Sequence, residues 1–373
     1  MRRTVFGEQH EQFRLLVREF VLDEIVPEYP SWQEEGKPSR RFWHRAGELG
    51  ILGIGAPPEH GGLPGSSFLH SAVITEEIQR AFLALGGLRV HTDICMPYFH
   101  RYADHAQQAR WIPELTSGTA VPALALSEPG AGSDLKAMST RAVRVGDHYV
   151  VNGAKTFISN GAAADLIILA VKTDPQAGKN GISLLVVESD TPGFQRGRRL
   201  DKLGLKAQDL AELSFTDMRV PVANRLGEEN NGFTYLTANL AQERLSIAVN
   251  SQASAAAVLD HAVHAVGDTR REQHTKFELA SCATEVAAGQ ALADHGLLEH
   301  EAGTLTPADA AMVKLYCTQL QGRVTQRCLQ VLGPRAYRSS DPVGQAVLDG
   351  RVSRIYGGSD EVMKIIISQS LGL

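Results

Sequence analysis

Ala125-Leu126-Ser127-Glu128-Pro129-Gly130-Ala131-Gly132-Ser133-Asp134 stands where the character of the chain changes. Before it, to about residue 120, apolar residues recur at helical spacing; after it, to about 226, short β-type runs alternate with Gly, Asn and Asp. Within the stretch, Gly130 and Gly132 permit close backbone approach and Ser127 and Ser133 supply hydroxyls. It suits either a tight surface loop or the wrapping of a polar, phosphate-bearing ligand. Its spacing is not G-x-G-x-x-G and no βαβ unit surrounds it, so a Rossmann-type site is not supported.

Working outward, Phe13, Leu16, Val17 and Phe20 fall at i, i+3, i+4, i+7 and predict one apolar face of a helix from Glu8 to Val26, stopped by Pro27 and Pro30. Downstream, Val143–Val145, Gly146-Asp147, His148–Val151, Asn152-Gly153 and Lys155–Ile158 predict two consecutive hairpin turns. Ile182–Val187 and Glu212–Phe215 add strands, and about 100 residues of such runs suggest a small barrel or sandwich. Beyond Asn230-Asn231-Gly232, Val258, Leu259, Ala262, Val263 and Val266 draw a broad apolar stripe suited to a helix bundle. Thr306, Pro307 and Asp309 mark the start of a further helix that Gly333-Pro334 ends. The expected architecture is mainly α with a central β domain (α+β): helices over 1–120, strands over 121–226 and a four-helix bundle over 227–373.

Composition narrows the function. The 373 residues carry 37 Lys+Arg against 42 Asp+Glu, a net charge of −5, with the basic pairs scattered, which argues against nucleic acid as a partner. No apolar run approaches the ~18 residues of a membrane helix, and Met1-Arg2-Arg3 precedes no apolar signal segment, so the cytoplasm is the default expectation. Cys95, Cys282, Cys317 and Cys328 lie too far apart for a C-x-x-C motif and read as reduced, buried thiols. His261 and His264 have no acidic or Cys partner at ligand spacing and read as a surface pair, with no metal expected. Neither G-x-S-x-G nor G-x-x-x-x-G-K-[ST] occurs, which demotes hydrolysis.

The Glu128–Asp134 run resembles the E-P-G-A-G-S-D hallmark of the acyl-CoA dehydrogenases, and the resemblance extends along nearly the whole chain. Glu48–Ile54 with Glu59–Gly62, Val151–Asn160, Lys202–Leu205, Val220–Val222 and Leu226–Glu228 follow in the family's order. The resemblance implies a helical, a β and a four-helix domain, a bound FAD, and α,β-desaturation of an acyl thioester. It further implies that Leu126, Ser127, Gly132, Ser133, Phe157 and Ser159 line the flavin, Ser133 also lying near the thioester, and that Ser359 and Glu361 lie close by. Such a reaction needs a carboxylate against the α-carbon in a dry pocket, where burial raises its pKa, and hydrogen bonds to the thioester carbonyl.

Most relatives place that carboxylate in an I-Y-E-G-T run near the C-terminus; here the run is Ile355-Tyr356-Gly357-Gly358-Ser359. A subset that includes the long-chain and isovaleryl members carries it instead in an E-R-L run, which matches Gln242-Glu243-Arg244-Leu245. By this resemblance Glu243 is the base, Gly357 is the vacated position, and Arg244 contacts the polar portion of the carrier. Two motifs depart from the family. Its R-x-Q-F-G-x-P loop has no match near Asp268–His274, where Arg270 is the remaining candidate for the cofactor arginine, and its Q-x-x-G-G-x-G run reads Gln330–Ala336, keeping Gln330 and Gly333 but losing two glycines, to Pro334 and Ala336, and one backbone N–H at Pro334. The expected partners are an acyl-CoA or acyl-carrier-protein thioester, an electron-transfer flavoprotein as acceptor, and further copies of the chain as a dimer or tetramer. A carrier-protein-linked dehydrogenase or an oxidase, and a silent flavin- or acyl-binding subunit, are the alternative readings.

Overall fold

The computed structural model describes residues 2–267 and 272–373. Its first part is helical: α1 (Glu8–Phe20), α2 (Val26–Glu35), α3 (Arg40–Glu48), α4 (Phe68–Arg80), α5 (Gly86–Arg89), α6 (Met96–Tyr102) and α7 (His105–Thr116). The starts follow from the sequence. Ser39 accepts from the Phe42 amide, and Ser67 with His70 and Asp104 with Gln107 form reciprocal caps.

The prolines do not stop the first helix. A π-helical turn, Val21–Ile25, joins α1 to α2, and Pro27 sits in the first turn of α2, where an N–H is dispensable; Pro30 lies inside α2. The buried face of α1 is His10, Phe13, Val17 and Phe20, whereas Leu16 is 38% exposed, so the predicted stripe is rotated by part of a turn.

Eight strands follow: β1 (Pro122–Ala125), β2 (Arg141–Val145), β3 (His148–Ser159), β4 (Leu166–Lys172), β5 (Ile182–Glu188), β6 (Phe194–Arg199), β7 (Leu210–Pro221) and β8 (Arg225–Leu226). They hydrogen-bond in the order β6-β7-β3-β2-β4-β5-β8, with β1 on β4. The two halves meet through a single pair, Arg141 with Lys172, and close over a shared core of Tyr149, Val151, Leu213 and Phe215 against Ile167, Leu169, Leu185 and Val187. The alternate residues Ile168, Ala170, Leu184 and Val186 face the other way and bury Met96, Phe99 and Trp111 of the helical part, which explains the unbroken apolar runs of β4 and β5.

Gly146-Asp147 makes the expected β2–β3 hairpin, but Asn152-Gly153 does not turn. Strand β3 continues through it as an irregularity in the β3–β7 ladder. Gly153 is required there because a Cβ would lie 2.5 Å from Thr140 Oγ1 and 2.7 Å from Thr140 Cα.

The last part holds α8 (Gly232–Val266), α9 (Gln273–Glu301), α10 (Pro307–Leu332), α11 (Pro342–Gly350) and α12 (Asp360–Ser370). Helix α10 opens on Thr306, which accepts from the Asp309 amide, and closes at Gly333 with φ +64°. Helix α8 is central: it packs on α9 and α10 through Val258, Ala262, Leu320 and Val324, and on α4 through Leu245, Ala248 and Val249 against Phe68, Leu69 and Ala72. All four cysteines are reduced and buried. No group of three metal-ligating side chains occurs among the described residues, but both histidines of α8 have the acidic neighbours the sequence did not suggest: His261 has Asp341, the cap of α11, at 3.4 Å, and His264 has Asp260 at 3.5 Å.

Candidate active site

The Leu126–Asp134 loop is tied to the sheet at its root. Glu128 is 3% exposed at its side chain and accepts from Ser139 N (2.6 Å), Ser139 Oγ (2.7 Å), Thr140 N (3.0 Å) and Lys155 Nζ (2.9 Å). These donors outweigh its burial and hold its pKa down at about 2. Lys155, fully buried, also donates to the Leu126 carbonyl, and the Thr156 amide donates to the Ser127 carbonyl. This buried pair had no role assigned from the sequence.

That anchoring sets Leu126 and Ser127 against Lys155 and Thr156, which Phe157 follows in β3. Phe157 has φ +57° and presents a ring 65% exposed, an unusual posture for a large aromatic and one suited to covering a planar ring system. Gly132 and Ser133 lie exposed farther along the loop, and a Cβ at Gly132 would meet open space. The face thus fits an isoalloxazine ring flanked by hydroxyl and backbone groups.

The end of β3 leads to the second half of the site. Ser159 Oγ accepts from Gln208, and the Asn160 side chain donates to the Gly87 carbonyl of α5. Helix α5 runs into a second π-helical turn, Val90–Cys95, where the Asp93 carbonyl accepts from Gln242 and the Asp93 carboxylate from Ser246 of α8. Between Gln242 and Ser246 lies Glu243.

Glu243 has no hydrogen bond or ion pair among the described residues. Burial raises its pKa, while the charges of Arg244 and Lys314 pull it back; it lies close enough to Cys95 and Tyr98 to raise theirs. Gly357 sits against it with φ +64°. A Cβ there would overlap Ile247 Cδ1 and come within 3.5 Å of Glu243 Oε1, so positions 243 and 357 face the same space from two different elements. The turn is held from below: Lys314, 0% exposed, donates to the Gly358 carbonyl at 2.7 Å, and Arg244 makes a long contact of 3.5 Å to the Gly357 carbonyl. Burial lowers the Lys314 pKa to about 8. Lys314 went unremarked in the sequence because a lysine on a helix ordinarily reads as solvated.

The remaining candidates are more distant. Ser359 caps α12 by accepting from the Val362 amide and Glu361 is exposed beside it, while Asp360 is taken by Arg354 (2.8 Å) and Gln319 (3.1 Å). Gln330 and Gly333 lie at the far end of α10, roughly 24 Å along the axis from Lys314, and are not brought to this site within one chain. Arg270 lies outside the described residues.

Comparison with known proteins agrees with this geometry. Residues 7–119, 123–218 and 230–372 match the N-terminal, middle and C-terminal domains of acyl-CoA dehydrogenase. The chain is 38% identical over 378 residues to the mitochondrial long-chain specific acyl-CoA dehydrogenase of Rattus norvegicus, covering 99% of this chain and 88% of that protein. It is 34% identical to the mitochondrial isovaleryl-CoA dehydrogenase of Pongo abelii, covering 98% and 88%. The crystal structure of acyl-CoA dehydrogenase from Geobacillus kaustophilus superposes with a TM-score of 0.96 at 42% identity, covering 99% of both chains.

Proposed function

Because the chain belongs to the acyl-CoA dehydrogenase family, oxidoreductases acting on CH–CH groups, we propose that it desaturates an acyl-CoA thioester between the α and β carbons with Glu243 as the base and FAD as the cofactor. The observation that carries the assignment is the shared space at Glu243 and Gly357: the one unpaired carboxylate there is raised in pKa and no side chain at 357 competes with it.

The residues divide the work. Glu243 takes the α-proton, and its apolar surroundings strengthen it as a base relative to a hydrated carboxylate. Leu126, Ser127, Gly132, Ser133, Phe157 and Ser159 would hold the flavin ring, which would supply the acceptor for the β-hydride. Lys314 and Arg244 fix the Gly357-Gly358 turn against the base. Arg244, 5% exposed, serves first in that turn; contact with the polar part of the carrier is its second proposed role. An electron-transfer flavoprotein is the proposed acceptor. Self-association is proposed to use apolar side chains exposed on the bundle, such as Phe277 (61%) and Ile365 (54%). The carrier-protein, oxidase and silent-subunit readings have no observation in their favour.

Anaerobic titration of the purified protein with short, branched and long acyl-CoA thioesters tests the proposal. The expected result is a bound flavin whose visible absorption bleaches with a subset of them. A stoichiometric flavin indifferent to every thioester overturns it.

Lys314 supplies a separate check on the base. Its positive charge favours the ionised form of Glu243, so Lys314→Met raises the Glu243 pKa and shifts the acid limb of kcat/KM to higher pH. An unmoved acid limb, with flavin content and fold intact, would show that Lys314 acts only on the backbone turn.

A further inference from the structure

Beyond Glu243, α8 carries a polar stripe where an acyl chain would run. Asn250 and Ser254 follow Glu243 by seven and eleven residues, which returns both to its face of the helix, roughly 10 and 16 Å along the axis. There they line a small, partly open pocket of about 30 Å³, together with Gln79, Arg89, Gln321 and Asp349. The walls connect it to the base: Arg89 precedes Asp93 by one turn, and Asp93 is bonded to Ser246 of α8.

The hydrogen bonds around this pocket leave several donors unused, and the one carboxyl in its lining, Asp349, has its pKa raised by burial. Gln79 Nε2 donates to the Leu83 carbonyl (3.1 Å) and to Asn250 Oδ1 (3.0 Å), which uses the acceptor of Asn250 and leaves its Nδ2. Gln321 Oε1 accepts from Ser353 Oγ (3.1 Å), which leaves its Nε2. Ser254, 5% exposed, has no hydrogen bond among the described residues, and Arg89 has neither a hydrogen bond nor an ion pair among them, its charge acting on Asp93 only from a distance. The acids nearby are engaged: Asp349 accepts from the Leu205 amide (2.5 Å) and Gln345 (2.8 Å), and Asp93 from Thr92 and Ser246.

We propose that this pocket is the distal end of the acyl site and that the thioester it takes carries a carboxylate at the far end of its acyl chain. The inference rests on the dehydrogenase reading for the thioester end alone. A methyl terminus would displace water from these buried and half-buried donors without replacing its hydrogen bonds, whereas two carboxylate oxygens match the planar fork of Arg89 and the neighbouring amide and hydroxyl donors. A site built to hydrogen-bond its substrate discriminates more sharply than an apolar one.

The experiment compares ω-carboxyacyl-CoA thioesters of graded length with alkyl acyl-CoA thioesters of the same length, by kcat/KM and by equilibrium binding to the oxidised holoenzyme. The expected result is a preference of tenfold or more for the carboxylated member at medium chain length. Arg89→Gln removes that preference, chiefly through KM, and Arg89→Lys restores part of it. Equal or better use of the alkyl thioesters, with a ratio that Arg89→Gln does not move, overturns the inference while leaving the desaturation reading intact. Arg89-dependent binding of the carboxylated thioesters without flavin reduction does the converse: it supports the distal subsite and removes the assigned reaction. Asn250→Leu, which fills the same pocket from α8, gives the same loss of preference if Arg89 variants fail to fold.

Discussion

Glu243→Gln will retain the flavin and lose substrate-dependent bleaching, with the rate of flavin reduction falling by at least about a hundredfold, the range expected for removing a positioned general base. The substitution keeps the shape of the side chain, so the packing of Cys95, Tyr98 and Ile247 around it is preserved and the loss reads on proton abstraction. Neighbouring carboxylates cannot take over. Asp360 is tied to Arg354 and Gln319, and Glu361 points to the surface at the start of α12. Rapid mixing under anaerobic conditions measures the effect directly; bleaching at the unmodified rate would remove Glu243 from the mechanism. The pH profile of the unmodified enzyme gives the sign independently. The base acts ionised and burial raises its pKa, so kcat/KM falls as pH drops through a value above the ordinary carboxylate range.

How far the fold and the candidate site were legible in the sequence has physical causes. The order of helices, strands and helices was visible because periodicity switches from 3.6 to 2 and back, and the Gly146-Asp147 hairpin because that pair has few other uses. The pairing of Glu243 with Gly357 was expected from family likeness, and the structure sets the two positions side by side, a Cβ at 357 standing 3.5 Å from Glu243 Oε1. What was missed depends on tertiary context. Pro27 and Pro30 look like helix stops, yet a π-helical turn absorbs Pro27. Asn152-Gly153 looks like a turn, but the glycine is spent on the approach of Thr140 while β7 pairs along the whole of β3. Lys155 and Lys314 are buried only because Glu128 and the Gly358 carbonyl, 27 and 44 residues away, meet them.

The Glu128–Lys155 pair is where the fold and the flavin face depend on one contact. Glu128→Gln will destabilise the protein by about 3–5 kcal/mol, the usual cost of removing one partner from a buried, hydrogen-bonded ion pair. An amide offers one acceptor oxygen to four donors and leaves the Lys155 charge facing only the Leu126 carbonyl. Denaturant unfolding measures the loss, and the double variant Glu128→Gln, Lys155→Met should recover part of it, because the stranded charge is then gone. The pH dependence follows with a definite sign. The Glu128 pKa is depressed from an ordinary 4.5 to about 2, so its contribution is full above 4.5 and is lost as pH falls from there toward 2. In Glu128→Gln that portion of the acid sensitivity disappears. The same substitution should weaken flavin retention, since the loop bearing Ser127, Gly132 and Ser133 is pinned to β3 through this carboxylate; a variant that loses stability but holds flavin as tightly as before would separate the anchor from the cofactor face.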